Sequence, residues 1–133
     1  LGDPNYAYSL LKQYKGEWEF DTNWKMIFGH PKKAGWIKAI QEAQQAVQKG
    51  LKLDCPILVM SSNKSFPETE TWHEEYMTSD IVLDVQDIQK YGEKLGDKVT
   101  RDTIPNGIHD LILSQKPYRN DAYQTIFEWL KKQ

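Results

Sequence analysis

An imidazole held by a carboxylate at one nitrogen, with the other nitrogen free, moves protons near neutral pH. The sequence offers the parts for such a pair. Asp80 and Asp84 lie in one segment, and His109 lies in Asn106-Gly107-Ile108-His109-Asp110. Each segment is expected to leave the C-terminal end of a strand, the edge where open α/β sheets hold their ligands. A carboxylate there would accept the ring N–H, fix the tautomer and stabilise the imidazolium that forms. Asp80 stands just ahead of the apolar stretch Ile81-Val82-Leu83. Asp84 opens the helix expected after it, where N-capping would equally explain a carboxylate.

Other chemistry finds less support in the residues. No serine stands in Gly-x-Ser-x-Gly, the strained strand-to-helix turn that exposes a nucleophile. Ser114 follows His109 without such a turn, and Ser61 and Ser62 read as strand-end polar residues. His30, His73 and His109 are far apart, with no His-x-x-x-His or Cys-x-x-Cys pair, so no zinc site is expected. His73-Glu74-Glu75 reads as a solvated turn. With no Gly-rich phosphate loop either, no cofactor is expected. Cys55 has no charged partner nearby in sequence and reads as a small buried apolar residue.

The elements that would position these residues follow from periodicity and punctuation. Residues 34–49 carry Trp36, Ile40, Ala43 and Val47 at steps of three and four, an amphipathic helix stopped by Gly50. Ile57-Leu58-Val59-Met60 is apolar at every position, as a parallel strand covered on both faces would be. A long loop over 62–84 follows, with one helical turn at Trp72–Tyr76; loops of this length usually carry function. A second helix is expected over 85–95, a second strand over 99–104, and a last helix over 119–131 with Ala122, Ile126, Trp129 and Leu130 inward. Residues 1–33 are aromatic and irregular, with Glu17-Trp18-Glu19-Phe20 alternating like a short half-buried strand. Their aromatic residues suit either an acyl pocket or a small core of their own.

This order is an α/β pattern of parallel strands with crossover helices. Two parallel strands leave open edges and uncovered faces. An incomplete sheet, the C-terminal part of a larger α/β fold, is therefore expected, and the first residue, Leu1, agrees with a piece of something longer. Such edges would also favour self-association.

Composition narrows the classes. At 133 residues and 39% hydrophobic content the chain is long and apolar enough for a core, which excludes a disordered segment. A formal charge of -2 advertises no nucleic-acid face, and the Lys32-Lys33 and Lys131-Lys132 pairs are ordinary surface charge. No apolar run approaches the ~18 residues of a membrane span. No secretory signal is expected from the opening residues, and one cysteine cannot form an internal disulfide. A cytoplasmic setting is expected.

Three segments carry a resemblance: Cys55-Pro56-Ile57-Leu58-Val59-Met60, Ser79-Asp80-Ile81-Val82-Leu83-Asp84-Val85 and Gly107-Ile108-His109-Asp110-Leu111. Together they resemble the C-terminal part of the α/β-hydrolase superfamily, nearest to its serine-aminopeptidase and lysophospholipase-like branch of monoacylglycerol-lipase type. The resemblance covers roughly residues 50–133, the C-terminal part of the core. Residues 1–49 look like the end of that family's lid and the helix leading into the core. It implies a serine hydrolase acting on a small ester or lipid-like substrate. His109 matches the catalytic histidine and Asp80 the acid, with Asp84 the alternative. The nucleophilic serine would lie outside this chain, which alone is expected to be inactive. The sequence departs from the family between Ser61 and Asp80, where an insertion separates strand from acid. The competing expectation is a non-catalytic α/β interaction module or hydrolase-like remnant.

Overall fold

The structure, a computed structural model, describes residues 4–133. Two hexapeptides form strands: β1 (Ile57–Ser62) and β2 (Val99–Ile104). They pair in parallel, Ile57 opposite Val99 and Ser62 opposite Ile104. Their C-terminal ends therefore coincide, and both following loops leave from the same side. Helices α1 (Asn5–Leu10), α2 (Ala34–Lys49), α3 (Val85–Gly92) and α4 (Lys116–Leu130) complete an α/β chain. Among the described residues no helix is long and apolar enough to cross a membrane.

Helix α3 begins where Asp84 accepts the Gln86 backbone N–H at 2.8 Å, an N-cap that satisfies an otherwise unpaired donor. It presses on β1 closely enough that a Cβ on Gly92 would stand 2.8 Å from a Val59 methyl. A 3-10 turn at Glu93–Leu95 then leads to β2. Helix α4 starts earlier than the periodicity predicts because Pro117 fits the first turn of a helix, where no N–H is needed. Its Ala122 is fully buried and Trp129 donates to Thr100 Oγ at 3.1 Å, but Leu130 stays 52% exposed, against expectation.

Three other expectations are corrected. Glu17–Phe20 forms no strand; Trp18 makes only an isolated bridge to Leu11, and a helix, α1, precedes it. Cys55 is exposed, since it precedes β1 rather than lying within it. Helix α2 matches its predicted span, yet none of its residues is buried. Its stripe of Ile40, Ala43 and Val47 borders an open groove of about 620 Å³, faced by Val59, Ile88 and Tyr91.

Candidate active site

Asp80 reaches the end of β1 by a detour. Its backbone N–H donates to the Lys64 carbonyl and its carbonyl accepts from Phe66 N–H, both at 3.0 Å. The segment between Ser65 and Asp80 thus loops out and returns to the strand's end. A small core of its own holds it together. Tyr76 is fully buried, with the rings of Phe66, Trp72 and His73 centred 5.4–5.7 Å away, and its hydroxyl accepts from Thr69 N–H at 2.8 Å. His73 is part of this ring cluster. Among the described residues no group of side chains is placed to hold a metal ion.

His109 approaches from the loop after β2. Asn106 adopts a left-handed φ of 59°, and its N–H donates to Asn63 Oδ1 at 3.0 Å, tying the two loops together. At Gly107 a Cβ would stand 2.6 Å from a Leu111 methyl and 3.2 Å from the Ile104 carbonyl, so the turn is tight and the Leu111 side chain would have to shift to admit one. Ile108 is buried, and its N–H donates to Ser114 Oγ at 3.0 Å. Ser114 is therefore committed to shaping the histidine loop, and it is itself buried.

The two loops bring His109 Nδ1 within 2.9 Å of Asp80 Oδ2. The other oxygen, Oδ1, accepts from the N–H groups of Val82 and Leu83, each at 2.8 Å. Asp80 is 2% exposed. Burial works against its charge, but the His109 hydrogen bond and the two backbone donors outweigh it and hold the carboxyl below its usual range. An ionised carboxylate only accepts, so Nδ1 carries a proton, and in the neutral imidazole Nε2 is the lone-pair nitrogen. The Asp80 hydrogen bond raises the imidazole's pKa against the opposing pull of burial. The imidazole side chain is 28% exposed, so one part of the ring is open while the other is locked.

The structure thus joins His109 to Asp80. Asp84, the alternative acid, is occupied as the α3 cap. Ser61 is buried, donating to the Ser62 carbonyl and accepting from Gln89, which suits a strand-end role. Beside the pair, Ser79 Oγ is buried without a hydrogen-bond partner among the described residues.

Several neighbours were not apparent from the sequence. Tyr6 of α1 packs edge-on against the His109 ring, centroids 5.9 Å apart. Its hydroxyl donates to Asp110 Oδ2 at 2.6 Å, and Lys25 donates to the same oxygen at 3.0 Å. Trp18 Nε1 donates to the Leu113 carbonyl at 2.8 Å. These contacts span sequence separations of 85 to 104 residues, which no local pattern encodes. The aromatic residues beyond them do not form a core: Trp24 is 86% and Phe28 53% exposed. With Tyr6, Met26 and His30 they line an open cavity of about 360 Å³.

Comparison with protein-family models, with curated proteins and with solved structures finds no match to this chain.

Proposed function

We propose that this chain supplies the acid and base of a serine hydrolase of the α/β-hydrolase type, acting on carboxylic esters of lipid-like alcohols. The observation that carries the reading is the 2.9 Å contact between Asp80 and His109, with the acid buried and braced by two backbone donors. A structural histidine needs no such brace. A general base does, because its tautomer must be fixed before the proton moves.

In this mechanism His109 Nε2 takes the proton of a serine hydroxyl as its oxygen attacks the ester carbonyl. Asp80 stabilises the resulting imidazolium, which returns the proton to the departing alcohol. Water, deprotonated by the same nitrogen, then releases the acid and restores the serine. This reading requires the serine and the oxyanion donors to be supplied from outside these 133 residues. The open cavity lined by Tyr6, Trp24 and Phe28 suits the apolar part of the substrate.

The test is p-nitrophenyl ester hydrolysis by the longer protein that carries both this chain and a nucleophilic serine. His109→Ala should lower turnover by about 10⁴-fold. Turnover within about tenfold of wild type overturns the proposal and favours a non-catalytic α/β interaction module.

A further inference from the structure

We propose that Tyr6 is a positioning residue for His109, acting through Asp110 and through its own ring; this rests on the reading of His109 as a general base. Tyr6 and Asp110 are joined twice. The Tyr6 hydroxyl donates to Asp110 Oδ2 at 2.6 Å and accepts from the Asp110 backbone N–H at 3.2 Å. Asp110 is the residue next to the histidine, so this pair fixes the backbone that carries the imidazole. The ring of Tyr6 meets the imidazole at an interplanar angle of 76°, which limits its tilt away from Asp80.

Lys25 completes the arrangement. Its ammonium donates to Asp110 Oδ2 at 3.0 Å and lies 5.5 Å from the centre of the Tyr6 ring. One carboxylate oxygen thus accepts from both a phenol and an ammonium. The phenol is the more sheltered of the two donors: burial, followed by its bond to Asp110, pushes its pKa well up, so it stays a protonated donor. The Lys25 side chain is 46% exposed, and exposed ion pairs are weak. Tyr6 therefore does most of the holding. Because Tyr6 belongs to α1, the N-terminal segment has a direct mechanical hold on the proton-carrying side chain.

The experiment reads the His109 Nδ1–H proton by NMR in the 133-residue chain. Hydrogen-bonded to a carboxylate, that proton should resonate far downfield and exchange slowly with water. Tyr6→Phe keeps the ring and removes only the hydroxyl. It should speed that exchange about tenfold or more, the factor associated with losing a hydrogen bond to a charged group. The thermal midpoint should fall by only a few degrees, the loss expected for one such bond. Lys25→Met should change the exchange less than about threefold. If Tyr6→Phe does not fold, Asp110→Leu, which keeps the bulk and removes both accepting oxygens, serves as the second variant and should give the same acceleration. Unchanged exchange overturns the proposal, and so does acceleration that merely tracks a loss of global stability. Because the readout is the proton itself, its outcome is separate from ester turnover in His109→Ala, which tests the catalytic reading.

Discussion

The C-terminal end of the two strands and the flank covered by α2 are built to different standards. At the strand ends, Asp80 has both oxygens engaged, Ile108 N–H is met by Ser114, and Asn63 locks one loop to the other. Along the flank, Trp36, Ile37 and Ile40 of α2 are 39–53% exposed, and the groove that Ile40 borders is open. Fully burying one such side chain stabilises a fold by about 1.5–3 kcal/mol, so the flank forgoes much of what its sequence could contribute. The contrast teaches that close hydrogen-bonded fit in this molecule is concentrated around the Asp80–His109 pair.

The largest expected effect separates two carboxylates four positions apart. Asp80→Asn keeps an oxygen for Val82 and Leu83 but turns an amide N–H toward His109 Nδ1. The ring must then carry its proton on Nε2, where it cannot accept one from a hydroxyl. On the proposed hydrolase reading, ester turnover by a protein that joins this chain to the nucleophilic serine should fall by about 10⁴-fold. Asp84→Asn should leave turnover within about threefold, because asparagine caps a helix as well as aspartate does. Equal losses from both would erase the distinction between site and cap.

Amide exchange would sharpen the contrast between the regions. The paired amides of β1 and β2 should open only in large-scale unfolding, whereas α2 should open locally. Protection should differ by about thirtyfold or more, or ~2 kcal/mol. Similar protection in α2 and the strands would mean that the flank is as well anchored as the strand ends.

Much of this architecture was legible in the sequence. Gly50, Asp84 and the apolar run at 57–60 marked boundaries that local chemistry controls, and α2 and β2 occupy their predicted spans. His109 and Asp80 were nameable because strand ends gather loops. What stayed hidden was long-range. The Tyr6–Asp110 and Trp18–Leu113 contacts depend on how the N-terminal segment folds back, and α1 itself is a six-residue helix without a side-chain cap. The return of the 66–79 loop to Lys64–Phe66 is likewise set by the ring cluster around Tyr76, whose members gave no periodic signal.

A pH titration should isolate the contribution of the Asp80–His109 pair. Asp80 is held below its ordinary 3.8, so its share of stability is complete above that value and is lost as pH falls through the lowered one. His109 is raised above its ordinary 6.5, so its share is complete below 6.5 and is lost as pH rises through the raised value. The pair therefore stabilises most between about pH 4 and 6.5. Unfolding midpoints should fall on both sides of that window in wild type, and Asp80→Asn should flatten both limbs. Identical profiles for the two proteins would show that the pair is not coupled to folding.

The smallest effect concerns the hydroxyl beside the acid. Ser79 Oγ lies buried with no partner among the described residues, an arrangement that ordinarily costs about 1–3 kcal/mol. Ser79→Ala removes the hydroxyl and leaves a gap smaller than a methyl group. The gap offsets part of the gain, so the net change should be a stabilisation of up to about 1 kcal/mol in denaturant unfolding. Because Ser79 neighbours Asp80 in sequence but makes no bond to it, the His109 Nδ1–H signal should not move. A destabilisation of more than about 1 kcal/mol would mean that the hydroxyl is satisfied after all. The strand ends would then contain no unpaired group at Ser79, and their contrast with the open flank would be sharper still.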